Sequence, residues 1–307
     1  MTATALVAID WGTTSARAYC LDATGQVVAR RSVPLGVLQV QDGCFAEALA
    51  ALLGDWHDVV APRLACGMIG SRQGWREAPY AECPAPLTML AAGIVHAPGN
   101  ALAIVPGVRT RDLNGIPDVM RGEETQLAGA IDEHEERVLA VLPGTHCKWA
   151  LVENGRLVDF STFMTGEMYN VLLNHSILGR LAQPAALKPG PAFARGVTRG
   201  LGPGGLSHDL FGARTLALMG ELAPRDVPDW LSGLLIGREL RNARTWAQRQ
   251  GCDGARVRLV GTDALLARYA NAMAQADIAM EMAPADAAAL GLWRIAQHAA
   301  LVPASTH

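Results

Sequence analysis

Leu142-Pro143-Gly144-Thr145-His146-Cys147-Lys148-Trp149-Ala150-Leu151-Val152-Glu153-Asn154-Gly155-Arg156-Leu157-Val158-Asp159-Phe160 repeats the layout of an earlier stretch, Ile9-Asp10-Trp11-Gly12-Thr13 through Arg30. Each copy reads as a strand, a Gly-Thr turn, a strand, a second turn and a third strand. In the first copy the strands run from Ala5 to Asp10, from Arg17 to Leu21 and through Arg30, with a turn at Asp22 to Gly25. In the second they run from Arg137 to Leu142, Lys148 to Val152 and Arg156 to Phe160, and Asn154-Gly155 is a strong hairpin signal. A duplicated meander implies two α/β lobes related by a pseudo-twofold axis, with the two Gly-Thr turns facing across a cleft. The expected lobes are 1–134 and 135–307. The final helix, about Pro284 to Leu301, is free to pack back on the first lobe.

The 307 residues suffice for two domains, and half of them are apolar. The net charge of −3 and the scattered Lys and Arg give no footprint for nucleic acid or an anionic membrane. The six cysteines form no C-x-x-C pair, so neither a zinc site nor a disulfide framework is expected. The first residues lack the basic and apolar regions of a signal peptide, and a cytoplasmic protein is expected. Cys83 to Val108 carries no full charge, but Pro84, Pro86, His96 and Pro98-Gly99-Asn100 break it into a buried helix, a turn and a buried strand.

Elsewhere, Phe45 to Val60 has helical spacing, Arg63 to Cys66 is a short strand, and Gly67 to Tyr80 is an irregular loop of the kind that carries ligand contacts. Glu123 to Ile131 opens as a helix with acids in its first turn. Further helices are expected at Glu167 to Leu181, Ser207 to Glu221 and Pro228 to Gln250, with a strand from Arg256 to Val260. Pro184 to Gly205, rich in Pro and Gly, reads as a long connection or lid.

The turns carry the chemistry. Gly12, Thr13 and Thr14 offer backbone N–H groups and hydroxyls to a phosphate, and Arg17 would add positive charge; the alternative is a simple β-turn with a capping Asp, against which the second copy weighs. Asp10 would face Mg²⁺ through water, a hard cation that favours a carboxylate beside phosphates. Gly144 and Thr145 repeat the cradle, with His146 and Lys148 as charge-neutralising candidates, although Lys148 has the alternative of pointing to solvent. Gly261 and Thr262, between a strand and a helix, suit a nucleotide pocket or, equally, an ordinary capped loop. Transfer to an alcohol also needs a carboxylate base, and Glu123 and Glu124 are the candidates; the alternative is that they only complement the helix dipole. For the acceptor, Ser71, Arg72, Gln73 and Tyr80 mix donors for hydroxyls with a cation for a carboxylate, with Arg72 as the bidentate clamp; the alternative is a solvent-exposed arginine loop. Trp11 is either a packing residue or a wall of the cleft.

The motifs D-W-G-T-T-S-A-R at Asp10 to Arg17, L-P-G-T-H-C-K-W at Leu142 to Trp149 and V-G-T-D at Val260 to Asp263 resemble the actin, hexokinase and sugar-kinase superfamily, with its two-lobed actin-like ATPase (ribonuclease H-like) fold. G-M-I-G-S-R-Q-G-W at Gly67 to Trp75, P-D-V-M-R-G-E-E-T-Q at Pro117 to Gln126 and S-T-F-M-T-G-E at Ser161 to Glu167 narrow this: together they resemble the 2-dehydro-3-deoxygalactonokinase family. The resemblance implies phosphorylation of 2-dehydro-3-deoxy-D-galactonate on its C6 hydroxyl by Mg²⁺·ATP, in galactonate catabolism. It also implies Glu123 as base, where many related kinases have Asp, with Asp10 at Mg²⁺ and Thr13 and Thr145 at phosphate, and it strengthens Arg72 as the carboxylate clamp. A kinase for the gluconate epimer or another sugar, and an actin- or chaperone-like ATPase, remain alternatives; a homodimer is left open.

Overall fold

The computed structural model describes residues 3–184, 188–261 and 263–303, and the chain forms two compact units. There is no single boundary near residue 134. The first unit takes Met1–Arg137, Val152–Phe160 and Ala283–His307, and the second takes Val138–Leu151 and Ser161–Met282.

The first unit opens on the expected meander, β1 (Leu6–Trp11), β2 (Ala16–Leu21) and β3 (Val27–Val33), followed by α1 (Phe45–Leu53) and β4 (Arg63–Gly67). Next come β5 (Tyr80–Glu82), β6 (Ala85–Pro86), α2 (Leu87–Ala92), β7 (Val95–His96), β8 (Ala103–Ile104), β9 (Gly107–Arg111), β10 (Pro117–Met120) and α3 (Glu123–Ala130). The main sheet has the order β3-β2-β1-β4-β8-β7; β1 is antiparallel to β2 and parallel to β4, with Trp11 opposite Gly67. A second, smaller sheet has the order β10-β9-β5. On the main sheet a core of Val7, Ile9, Leu49, Leu52 and Ile104 is almost fully removed from water. Trp11 belongs to that core: its ring is buried and meets Phe45 edge-on at 6.3 Å, so it packs.

The second copy gives β11 (Val138–Leu142), β12 (Cys147–Glu153) and β13 (Arg156–Phe163). It continues through α4 (Thr165–His175), α5 (Pro191–Leu201), α6 (Leu206–Leu210), α7 (Gly212–Leu218), α8 (Val227–Arg249), β14 (Val257–Leu259), α9 (Asp263–Gln275) and β15 (Met280–Met282); α10 (Ala287–His298) closes the chain. The strand order β15-β14-β11-β12-β13 restates β8-β4-β1-β2-β3, and β14 runs parallel to β11 as β4 does to β1. The duplication therefore extends two parallel strands beyond the meander that reveals it.

Two expectations need correction. Within the stretch 184–205, residues 185–187 lie outside the described residues, and most of the remainder is the helix α5 instead of a connection. Ala192, Phe193, Gly196, Val197 and Gly200 form its buried stripe, a helical period that the Pro and Gly content obscures. The single helix expected over 207–221 is two short ones, α6 and α7, broken at Phe211. Among the described residues no helix is long and apolar enough to cross a membrane.

Candidate active site

In the first unit, the β1–β2 hairpin closes with the Gly12 N–H donating to the Ser15 carbonyl at 2.9 Å. Thr13 and Thr14 stand exposed at its tip. The turn is held from behind: Val37 and Leu38 donate their N–H groups to the carbonyls of Gly12 and Thr13 at 3.0 and 3.2 Å. Asp10, one residue before the end of β1, has a largely buried side chain with an Arg17 Nη1 at 3.9 Å. Burial pushes its carboxyl above the usual range, and Arg17 pulls it back. A carboxylate whose ionised form burial disfavours is stabilised by a cation brought beside it. Asp10 thus fits a Mg²⁺ ion that keeps most of its water and phosphate ligands. Among the described residues no group of three or more His, Cys, Asp or Glu side chains is placed to hold a metal, and a Mg²⁺ bound with its nucleotide requires none.

The element that joins Asp10 to Glu123 is Gly67, which ends β4. It has φ of +91°, and a Cβ built on it would lie 2.7 Å from the Trp11 carbonyl and 3.6 Å from Asp10 Oδ1. Gly122, with φ of +108°, opens α3 from the other side, and a Cβ there would lie 3.1 Å from the Gly67 Cα. Two glycines in conformations that L side chains resist therefore let the end of β1 and the start of α3 meet. Cys66 lies beneath them, with its Sγ 4.0 Å from Asp10 Oδ1. Its thiol is pushed far up by burial and then by the charges of Asp10, Glu124 and Glu123.

The adjacent glutamates divide sharply. Glu123 Oε2 accepts the Arg121 backbone N–H at 3.0 Å, and the residue is partly exposed. Glu124 is buried; its carboxyl accepts the Gly122 N–H at 2.7 Å and the Thr125 hydroxyl at 2.8 Å. It lines a small cavity with Leu87, Leu90, Leu127 and Leu157. Burial, and then repulsion from Glu123, raise its pKa to about 7. The expected substrate contact at Glu124 is corrected to a role within the fold, because both oxygens are engaged by its own helix start. The Arg72 side chain is 88% exposed and bonded to Glu77 at 3.1 Å, a solvated surface pair. Gln73 is exposed, Ser71 is half-buried, and the Tyr80 ring lies over the Arg121 guanidinium with the carbon 4.3 Å from the ring centroid.

In the second unit, β11 and β14 end at the same sheet edge, where the Val260 N–H donates to the Val141 carbonyl at 2.9 Å. A Cβ on Gly261 would lie 3.8 Å from the Pro143 carbonyl, so the third glycine loop borders the second Gly-Thr turn. Thr262 lies outside the described residues. The carboxyl ends of parallel strands are where open α/β sheets take ligands. Gly144 and Thr145 are fixed by the start of α4: the Glu167 N–H donates to the Thr145 carbonyl at 2.9 Å, and a Cβ on Gly166 would strike the Gly144 carbonyl and come 2.8 Å from the Thr145 Cα. His146 Nε2 pairs with Glu167. Lys148 does not point to solvent; it is buried and donates to Thr162 Oγ1 at 2.8 Å. Sequence reasoning missed Glu239 of α8, a buried carboxylate that accepts from Trp149 Nε1 at 2.8 Å and the Tyr269 hydroxyl at 2.7 Å, bracing β12 and α9 behind the turn. No local motif marks it, since it sits in mid-helix with its partners 90 and 30 residues away.

Duplicated β-meanders with a glycine turn on each, a carboxylate at the end of the first strand and a second carboxylate opening a nearby helix define an actin-like, sugar-kinase type of phosphotransferase. The Acidaminococcus fermentans (R)-2-hydroxyglutaryl-CoA dehydratase component A shares this fold, with a TM-score of 0.53 and 16% identity over 96% of this chain and 98% of that one. The chain belongs to the 2-keto-3-deoxy-galactonokinase family, whose model matches residues 10–295, and it is a sugar-acid kinase. It is 37% identical over 272 residues to the 2-dehydro-3-deoxygalactonokinase of Escherichia coli (strain K12), covering 87% of this chain and 88% of the relative. A crystal structure of a Sinorhizobium meliloti protein assigned the same activity matches with a TM-score of 0.85 and 33% identity, over 98% of each chain.

Proposed function

We propose that the protein transfers the γ-phosphoryl group of ATP to the C6 hydroxyl of 2-dehydro-3-deoxy-D-galactonate, giving 2-dehydro-3-deoxy-6-phosphogalactonate and ADP. The observation that carries this reading is the approach of Asp10 and the start of α3 to one residue, Gly67. It gives one unit both a cation-binding carboxylate and a proton acceptor. The family supplies the substrate class.

Mg²⁺, when bound with the nucleotide, offsets charge on the transferring phosphoryl group. Asp10 would hold that ion through its bound water. The Gly12 to Thr14 turn of the first unit offers N–H groups and hydroxyls to phosphate, and the Gly144 to Thr145 turn of the second unit offers the same set, each braced by the backbone bonds behind it. Glu123, oriented by the Arg121 N–H, receives the proton of the C6 hydroxyl as that oxygen bonds to the γ-phosphorus and the bond to the bridging oxygen of ADP breaks. Arg17 and Lys148 supply positive charge, and Gly261 leads the loop proposed for the nucleoside.

ADP release is the test, with Mg·ATP and 2-dehydro-3-deoxygalactonate, its gluconate epimer, glycerol, hexoses and no acceptor. Turnover confined to the galactonate derivative is expected; equal hydrolysis without acceptor would refute a kinase. Glu123→Gln should lower kcat by about 10³-fold or more while nucleotide affinity stays within about threefold. Near-normal turnover would remove Glu123 as the base.

A further inference from the structure

Arg121 lies between β10 and α3 and is only 9% exposed. Its Nη2 donates to the Ala78 carbonyl at 2.8 Å, and the Tyr80 ring covers one face of the guanidinium. Its Nε and Nη1 are buried without a hydrogen-bond partner among the described residues, and so is the Ser71 hydroxyl. Gly70 connects the two sites: a Cβ built there would lie 2.9 Å from Nη1, and Ser71 is the next residue in the chain. Desolvating a guanidinium is costly unless an anion or a full set of acceptors meets it, and here one carbonyl and one ring do that work. The planar fork of Arg is shaped for a carboxylate.

We propose that Arg121 binds the carboxylate of the sugar acid, with the Ser71 hydroxyl as a second donor, and that Tyr80, still 38% exposed, is the side chain that swings aside to admit it. This rests on the kinase reading above. Arg121 touches Glu123 through its backbone N–H and extends its guanidinium towards Ala78, so the two ends of one extended acceptor have separate contacts. The acid end meets the guanidinium and the hydroxyl end meets the base. Arg72 is replaced in this role because its charge is already solvated and paired.

Steady-state kinetics with the sugar acid and its neutral C1 amide tests the assignment. The wild-type protein should prefer the acid by about 10²-fold or more in kcat/KM, a discrimination typical of sites that leave polar groups unpaired with the wrong ligand. Arg121→Gln should raise the KM for the acid by about 10²-fold, erase the preference over the amide and leave the KM for ATP within about threefold. Arg121→Lys should restore part of the preference, and Ser71→Ala should weaken it by about tenfold. A retained preference in Arg121→Gln overturns the proposal, as does its loss in Arg72→Gln. If Arg121→Gln lacks a cooperative thermal transition, Arg121→Lys and Ser71→Ala decide: wild-type preference in both overturns it. A wild-type protein that does not phosphorylate 2-dehydro-3-deoxygalactonate would refute the proposed function itself, before any variant is measured.

Discussion

Glu123 and Glu124 are neighbours in sequence and opposites in environment. Glu123 meets the Arg121 N–H at a partly exposed helix start, whereas Glu124 is sealed among leucines with its pKa raised to about 7 by burial and by its neighbour. In the folded chain Glu124 holds its proton more tightly than a solvated glutamate, whose ordinary pKa is 4.5, so the native state binds more protons than the unfolded state between about 4.5 and 7. Stability is then fully present below pH 4.5 and falls as pH rises towards 7, by roughly 3 kcal/mol from this residue alone. Glu124→Gln keeps an acceptor for Gly122 and a partner for Thr125 but cannot ionise. Urea denaturation of both proteins at pH 5 and pH 8 should show the variant gaining on wild type by about 2–3 kcal/mol at the higher pH. An equal difference at both values would mean that Glu124 does not titrate in this window.

Among elements, α4 controls the second Gly-Thr turn by contact. Its second residue, Gly166, lies against the backbone of Gly144 and Thr145, and a methyl there must push the helix or the turn away. Gly166→Ala should therefore raise the KM for ATP by about tenfold or more with little change in the KM for the sugar acid, since α4 and the acceptor residues belong to different units. A wild-type KM for ATP would show that the turn tolerates the shift. The Gly-Thr turns were legible in the sequence because a tight turn between strands requires its residues locally, and the meander repeats that requirement in order. The strands and most helices followed from periodicity. What stayed illegible depends on burial or on close approach between distant segments. Gly67 reads as one more loop glycine until β1 and α3 are seen to meet at it; Arg121 and Arg72 look alike on paper, and only packing makes one the buried cation. The α5 helix was hidden by Pro and Gly, which mark loops on average yet here provide its first residue and part of its buried stripe.

On the scale of the whole molecule, the last segment of the chain completes the first unit. Helix α10 packs along α3, where Gly129 and Gly291 bring the two backbones into contact, and Arg294 donates to the carbonyls of Ala128 and Ile131. It also reaches the β2–β3 turn: the Trp293 ring lies where a side chain at Gly25 would be, and Asp286, just before the helix, pairs with Arg30 at 2.8 Å. The helix that positions Glu123 is thus supported by residues translated about 160 positions later. Leu292, Trp293 and Ile295 are almost fully buried. At about 1.5–3 kcal/mol for each large apolar side chain, their loss removes roughly 5–9 kcal/mol, comparable with the net stability of a whole domain. A chain ending at Met282 should therefore lose the first unit's fold even though every proposed catalytic residue is still present. Hydrogen exchange is the decisive measurement, with amides of α3 and β1 expected to lose protection in the truncated chain and to keep it in the full one. Protection of α3 at full-chain levels after the truncation would mean that α3 stands without its partner, and that the first unit is complete by residue 160.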